Sequence, residues 1–308
     1  MFFEIEAPMT VSATVSRPRE LLLLLLLATL WGGSYTLIRI GVETIPPITF
    51  IAARTAIAGT VLGLVLTHRG VRLPRDPATW GRFAVQAGLN SVAPFTLIAW
   101  AERTIEAGPA VILNATTPIF AFLITATITR HERVDRWSAV GVATGLAGIV
   151  LIVGGDAAAG VGREAAADLA IVAASICYAG AAIWGKRFQG LDPMVPATGS
   201  LLVGAMALAP LAIVVDRPWT ISPSAASLAA LVVLAVASTA LAFTLYFRLI
   251  QTLGTVGTTA QAYLRAPIGV AIGAVFLGER LQPTAWIGLV TVVGSVVAMT
   301  APRRSPPT

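Results

Sequence analysis

Residues 257–278 read GTTAQAYLRAPIGVAIGAVFLG and run straight into Glu279 and Arg280. The stretch is apolar enough to lie in a bilayer, yet it carries Arg265 two residues before Pro267, with Gln261 one helical turn earlier on the same face. A guanidinium at that depth costs at least about 2.5 kcal/mol on insertion scales, which points to a water-filled cavity or a functional role. Proline removes a backbone donor and crowds the carbonyl four residues back, freeing polar groups that lipid would leave unsatisfied. The expectation is a membrane helix, broken near its middle, that lines a cavity.

The first half of the chain holds a second version of this stretch. Residues 108–129, GPAVILNATTPIFAFLITATIT, lead to Glu132 and Arg133. Gly108 precedes Pro118 by the same ten residues that separate Gly257 from Pro267, which makes these four the hinge candidates. Upstream, Phe95-Thr96-Leu97 matches Phe243-Thr244-Leu245, and Thr104 matches Thr252. Trp31, Arg39 and Pro46 match Tyr178, Lys186 and Pro193 at a constant offset of 147. The chain reads as one five-helix unit written twice.

At 308 residues, 56% hydrophobic and 12% charged, with mean hydropathy +0.82, the chain has too few charges to coat a soluble globule of its size. It reads as an all-α integral membrane protein. One cysteine, Cys177, rules out an internal disulfide, and the two histidines, His68 and His131, lie in basic loops and cannot build a buried metal site. No cofactor is expected. Apolar spans fall at about 20–42, 47–67, 80–101, 106–129, 136–154, 165–186, 195–215, 225–250, 256–278 and 284–301, each near the ~20 residues that cross the hydrocarbon core. Arg17 and Arg19 before Leu21–Leu27 imitate a secretion signal, but the apolar run continues through Ile38, so a retained helix is expected. The domain reading is a tail at 1–19, a first unit at 20–155, a second at 164–302 and a tail at 303–308.

Charge tests the ten spans, because alternate loops should differ. One set carries Arg17, Arg19, Arg69, Arg72, Arg75, Arg82, Arg130, Arg133, Arg136, Lys186, Arg187, Arg248, Arg303 and Arg304. The other carries only Arg39, Arg103, Arg163, Arg217 and Arg280. Both termini are therefore expected in the cytoplasm, and the net charge of +6 reflects membrane topology instead of a nucleic-acid partner. Five helices per unit is an odd number, so the second unit enters the membrane from the opposite side. That gives two inverted five-helix repeats around a central cavity, an arrangement typical of alternating-access transporters.

The ten spans, the repeat, the Trp31-Gly32-Gly33-Ser34 stretch and the proline followed by Glu-Arg closing the fourth and ninth spans resemble the EamA-type drug/metabolite transporters. The resemblance covers about residues 20–302 and is closest to bacterial exporters of amino acids, aromatic ones included. It implies a pseudo-symmetric basket in the bacterial inner membrane, with helices three, four, eight and nine around a central cavity and five and ten at the periphery.

Arg265 suits a substrate carboxylate or, equally, carbonyls freed by Pro267. Gln261, Asn114, Gln86 and Asn90 are amides that lipid would not tolerate cheaply, so they face substrate or neighbouring helices. Trp31, Tyr178, Phe95, Phe243 and Tyr263 lie deep, where ring faces would accept apolar or aromatic side chains. Trp100, Trp184 and Tyr246 fall near span ends and suit an aromatic belt. Arg54 has a stem long enough to reach the interface and is expected to be structural. Gly141/Gly145 and Gly269/Gly273 permit close helix approach, used here within one chain, and a monomer is expected.

Glu43, Glu102, Glu106, Glu132, Asp168 and Glu279 all stand at span ends or in loops. Without an embedded carboxylate, a proton-driven multidrug antiporter loses weight and weak dependence on a pH gradient is expected. Carriage of sugar nucleotides or phosphates would favour several buried cations, where only Arg265 is central. No HExxH or GxSxG stretch supports an intramembrane enzyme. The functional expectation is export of small metabolites, foremost amino acids with apolar or aromatic side chains.

Overall fold

Proline and small hydroxyl or carboxylate caps set where the helices begin. In the computed structural model, which describes residues 17–124, 140–148, 151, 162–188, 190–246, 248–249 and 261–300, the segments are α1 (Arg17–Gly41), α2 (Pro47–His68), α3 (Pro77–Ala101), α4 (Ala107–Ile124), α5 (140–148), α6 (Gly162–Gly185), α7 (Met194–Val215), α8 (Ala225–Tyr246), α9 (Gln261–Leu277) and α10 (Pro283–Thr300). Prolines open α2, α3 and α10, where the missing N–H costs nothing. The Asp76 carboxylate accepts from the Thr79 N–H at 2.8 Å to start α3, and Ser224 Oγ accepts from the Ser227 N–H at 3.1 Å to start α8. Gly257, Glu132 and Arg133 lie outside the described residues, as does the side chain of Tyr263.

Seven helices, α1 to α4 and α6 to α8, are long and apolar enough to cross a membrane, while Leu264–Leu277 and Pro283–Ser295 form shorter apolar stretches. No strand occurs among the described residues. Large apolar side chains such as Val275, Phe276, Val290 and Val214 point outward, as lipid-facing surfaces require.

Helix pairing has a regularity. α2 packs most extensively on α7, and α4 packs on α9. α1 packs on α9 as α4 packs on α6; α1 packs on α8 as α3 packs on α6; α3 packs on α7 as α2 packs on α8. Exchanging each of these eight helices with the one five places away maps these pairs onto one another. Irregularities correspond too: α3 widens into a π turn at Gly88–Val92 and α8 at Val236–Leu241, each just before the matched Phe95 or Phe243. Close approach is set by glycine. A Cβ on Gly32 would stand 2.9 Å from the Arg265 carbonyl and 3.1 Å from the Gly269 N, so α1 and α9 meet backbone to backbone.

The two proline helices differ. α4 is interrupted at Ala115–Thr116, between Ala107–Asn114 and Thr117–Ile124. α9 is not broken: it runs continuously through Pro267, against the sequence expectation. In α4 the Thr117 hydroxyl donates to the Asn114 carbonyl at 2.8 Å and the Thr116 hydroxyl to the Leu113 carbonyl at 2.6 Å, so donors are at hand when the helix lets go. α9 has Arg265-Ala266 at the matching positions and no local hydroxyl to take the freed carbonyl, so helix continuity wins.

Candidate functional site

Asn114 is the carbonyl residue that Pro118 leaves without its helical donor, and it is fully buried. Arg265 reaches it from α9: Nη2 donates to Asn114 Oδ1 at 2.9 Å and to the Asn114 carbonyl at 3.3 Å. Asn114 Nδ2 donates to Ser175 Oγ on α6 at 3.2 Å. Arg265 thus serves the proline of the other unit, while its Nε is buried without a hydrogen-bond partner. A planar donor fork with one edge engaged and another donor idle is able to donate to a further acceptor, an anion included.

Arg54 forms the second cation. It is only 4% exposed and does not reach the interface, which corrects the sequence expectation. Its Nε donates to Thr239 Oγ1 at 2.9 Å, and its Cζ lies 3.7 Å from the centroid of the Phe95 ring. Thr239 sits inside the α8 π turn and donates to the Leu234 carbonyl at 2.8 Å, so the turn exists where a hydroxyl relieves it. Tyr35 and Tyr178 each lie close enough to both Arg54 and Arg265 to interact with them electrostatically. No acidic side chain forms an ion pair with either arginine among the described residues.

The deep aromatics meet crosswise. Trp31 packs edge-on against Phe243 with centroids 6.2 Å apart, and Phe95 packs against Tyr178 at 6.4 Å. The matched residues of the two halves therefore form two matched contacts, one between α1 and α8 and one between α3 and α6. Tyr246 joins the first at 5.3 Å from Trp31, whereas Trp184 donates to the Arg82 carbonyl at 3.2 Å near a helix end. Gln261 is buried one turn before Arg265 with Oε1 unpartnered. Gln86, also with an unpartnered Oε1, and Asn90 in the α3 π turn are not hydrogen-bonded to the arginine group among the described residues. Two surface hollows, one lined by Trp286, Ile287, Val290 and Thr291 and one by Val42–Pro46 with Arg103, lie away from it.

Hydrogen bonds tie together the end of the bundle where α1, α3 and α9 finish. Gly278, at φ +67°, turns the chain back after α9, so that Glu279 accepts from the N–H groups of Ala107 at 2.8 Å and Gly108 at 2.9 Å. Gly108 is thereby a capped helix start with Leu281 against it. Arg39 Nη1 donates to the Glu102 carbonyl. Thr44 donates to Ser227 Oγ at 2.8 Å, Ser227 to the Ile40 carbonyl at 2.8 Å, and Thr49 to Asp216 Oδ2 at 2.9 Å. Glu102, at a span end by sequence, is completely buried there.

Arg54, Tyr35, Ser175 and Thr239 complete the group, and the sequence reading left them out of its binding set. Arg54 carried a usable signal, since it is a charge inside an apolar span just as Arg265 is. The two hydroxyls carried none, because serine and threonine are ordinary in membrane helices.

A family model, the EamA-like transporter family, matches this arrangement twice, over residues 18–154 and 165–301. The "Uncharacterized inner membrane transporter YedA" of Escherichia coli (strain K12) is 27% identical over 271 residues, covering 88% of this chain and 87% of that protein. A protein of Streptantibioticus cattleyicolor described as a "Probable terminal-alkyne amino-acid exporter" is 26% identical over 267 residues, covering 86% and 88%. A solved crystal structure superposes with TM-score 0.64 at 20% identity over 91% of this chain and 97% of that one, a likeness of fold alone. With both halves of its length matched, the chain belongs to the EamA-like transporter family.

Proposed function

We propose that this membrane transporter exports amino acids with apolar or aromatic side chains by alternating access, its two inverted five-helix repeats rocking about the Arg265 group. The observation that carries the reading is the Arg265 fork, tied along one edge to Asn114 and with Nε buried and unpartnered, which suits a carboxylate. Gln261 offers an unpartnered amide oxygen for an ammonium group, and Phe95, Tyr178, Trp31 and Phe243 offer ring faces for a side chain. Asn90, Gln86 and Tyr263 would add polar or aromatic contacts in other states of the cycle. The π turns and the α4 break at Pro118 supply bending points, with Gly108, Pro267 and Gly257 as further hinges. The exporter from S. cattleyicolor, similar over most of its length, supports the substrate class. The chain works as a monomer, with both termini in the cytoplasm of a bacterial cell.

Arg54 favours one second reading. With Arg54 buried, Arg265 half-buried and no acid paired with either among the described residues, a doubly charged organic phosphate would also fit. Counterflow in proteoliposomes, with a panel of amino acids, their decarboxylated amines and sugar phosphates, decides between them. Amino acids exchanging while amines do not is the expected result. Exchange of sugar phosphates alone, or of amines as fast as amino acids, would overturn it.

A further inference from the structure

Glu102 stands one residue beyond α3, with no exposure and with neither carboxyl oxygen hydrogen-bonded. Among the described residues, four charged or titratable groups interact with it. From α1 come Arg39 and Tyr35, from α2 Arg54, and from the end of α9 Glu279. Arg39 donates to the Glu102 backbone carbonyl, and no bond joins it to the carboxyl oxygens. Glu279 directs both oxygens at the start of α4 and also interacts with Glu106. A carboxylate shut away from water with no donor is a poor anion, whereas a carboxylic acid there is neutral.

We propose that the Glu102 carboxyl is a proton-binding site of this transporter, keeping its proton while this end of the bundle is closed and giving it to water when the end opens. The inference rests on the alternating-access reading and not on the identity of the substrate. Burial first, then the Glu279 carboxylate, push its proton affinity well above the ordinary carboxylate value of about 4.5, while Arg39 and Arg54 oppose the shift. In the open state water restores the ordinary value. Below it Glu102 is protonated in both states, and closure is at full strength. As pH rises, the open form loses its proton first, so closure weakens about tenfold per pH unit until the raised value is passed and the effect levels off. Opening is thus tied to proton release at this end, and closing to proton uptake, in place of the weak dependence on a pH gradient expected from the sequence.

The test needs no substrate. Ile98 is 3% exposed and lies one turn inward of Glu102 on the same face of α3. In a Cys177→Ser background, Ile98→Cys in the purified full-length protein is labelled with a bulky water-soluble maleimide across a pH series. Rates are normalised to Ser222→Cys, an exposed position with the same thiol chemistry. The expected normalised rate climbs about tenfold per pH unit over the window and is flat in Glu102→Gln. Arg39→Gln should carry the climb on to higher pH before it levels off and Glu279→Gln should end it at lower pH, opposite shifts that general loosening does not produce. An identical normalised profile with and without Glu102→Gln overturns the proposal. So do Arg39 and Glu279 variants that move the profile in the same direction or not at all, a comparison that stands even where Glu102→Gln fails to fold. Because no amino acid is added, failure here is separate from failure of the counterflow panel.

Discussion

Arg265 and Arg54 differ in what they leave behind when removed. Arg265→Met strands the buried Asn114 Oδ1, which costs about 1–3 kcal/mol, so both the melting temperature in detergent and transport should fall. Arg54→Met leaves Thr239 still bonded to the Leu234 carbonyl and keeps apolar bulk against Phe95. Melting should then change little, while transport falls about ten- to hundredfold if the guanidinium holds an anionic group. A stable Arg54→Met protein transporting at full rate would remove it from the site. Two glycines give a control on packing. Gly81→Ala has nothing within 4 Å and should stabilise the helix by about 0.5–1 kcal/mol, read as a higher melting temperature. Gly32→Ala would press into the α9 backbone and should destabilise by about 1–3 kcal/mol. Arg265 was legible because a charge at mid-span has few innocent explanations. Arg54 was misjudged because a long stem makes depth ambiguous from sequence alone. Glu102 was not counted as an embedded carboxylate because it ends a span, but tight loops between close helices bury span ends as well.

The broken helix α4 is where proline chemistry becomes architecture. Pro118 frees the Asn114 carbonyl, Thr117 and Arg265 take it up, and the chain steps aside for one turn. Pro118→Ala restores the missing N–H and lets the helix close over that step. Melting should hold or rise while transport slows about tenfold or more, since a straightened α4 withdraws the carbonyl edge of the site. An unchanged rate would show that the break is not used. The matching proline in α9 misled the sequence reading because the proline alone was weighed. What decides is whether a hydroxyl stands beside it, Thr116-Thr117 in one case and Arg265-Ala266 in the other. The π turns in α3 and α8 were invisible for a related reason. An extra residue in a helical turn has no composition signal, and its cause at Thr239 is a single hydroxyl bond.

At the scale of the molecule, the seven expected spans that the structure shows as long apolar helices were the most legible feature, because apolar length is a demand of the bilayer and not of any neighbour. Which helices touch was less legible: the offset of 147 implied a repeated unit but could not say that α1 meets α9 while α4 meets α6. That pairing depends on glycine contacts such as Gly32 on Gly269, which a one-dimensional pattern does not encode. The orientation of the whole bundle is open to a direct measurement. Arg75, in the arginine-rich connection between α2 and α3, and Ser222, in the connection between α7 and α8, are both exposed. They fall in loop sets carrying fourteen and five basic residues respectively, so the first should face the cytoplasm and the second the outside. In a Cys177→Ser background, an impermeant thiol reagent applied to intact cells should label Ser222→Cys at once and Arg75→Cys only after permeabilisation. The opposite pattern would place the Glu102 end in the cytoplasm and reverse the direction in which proton release accompanies opening.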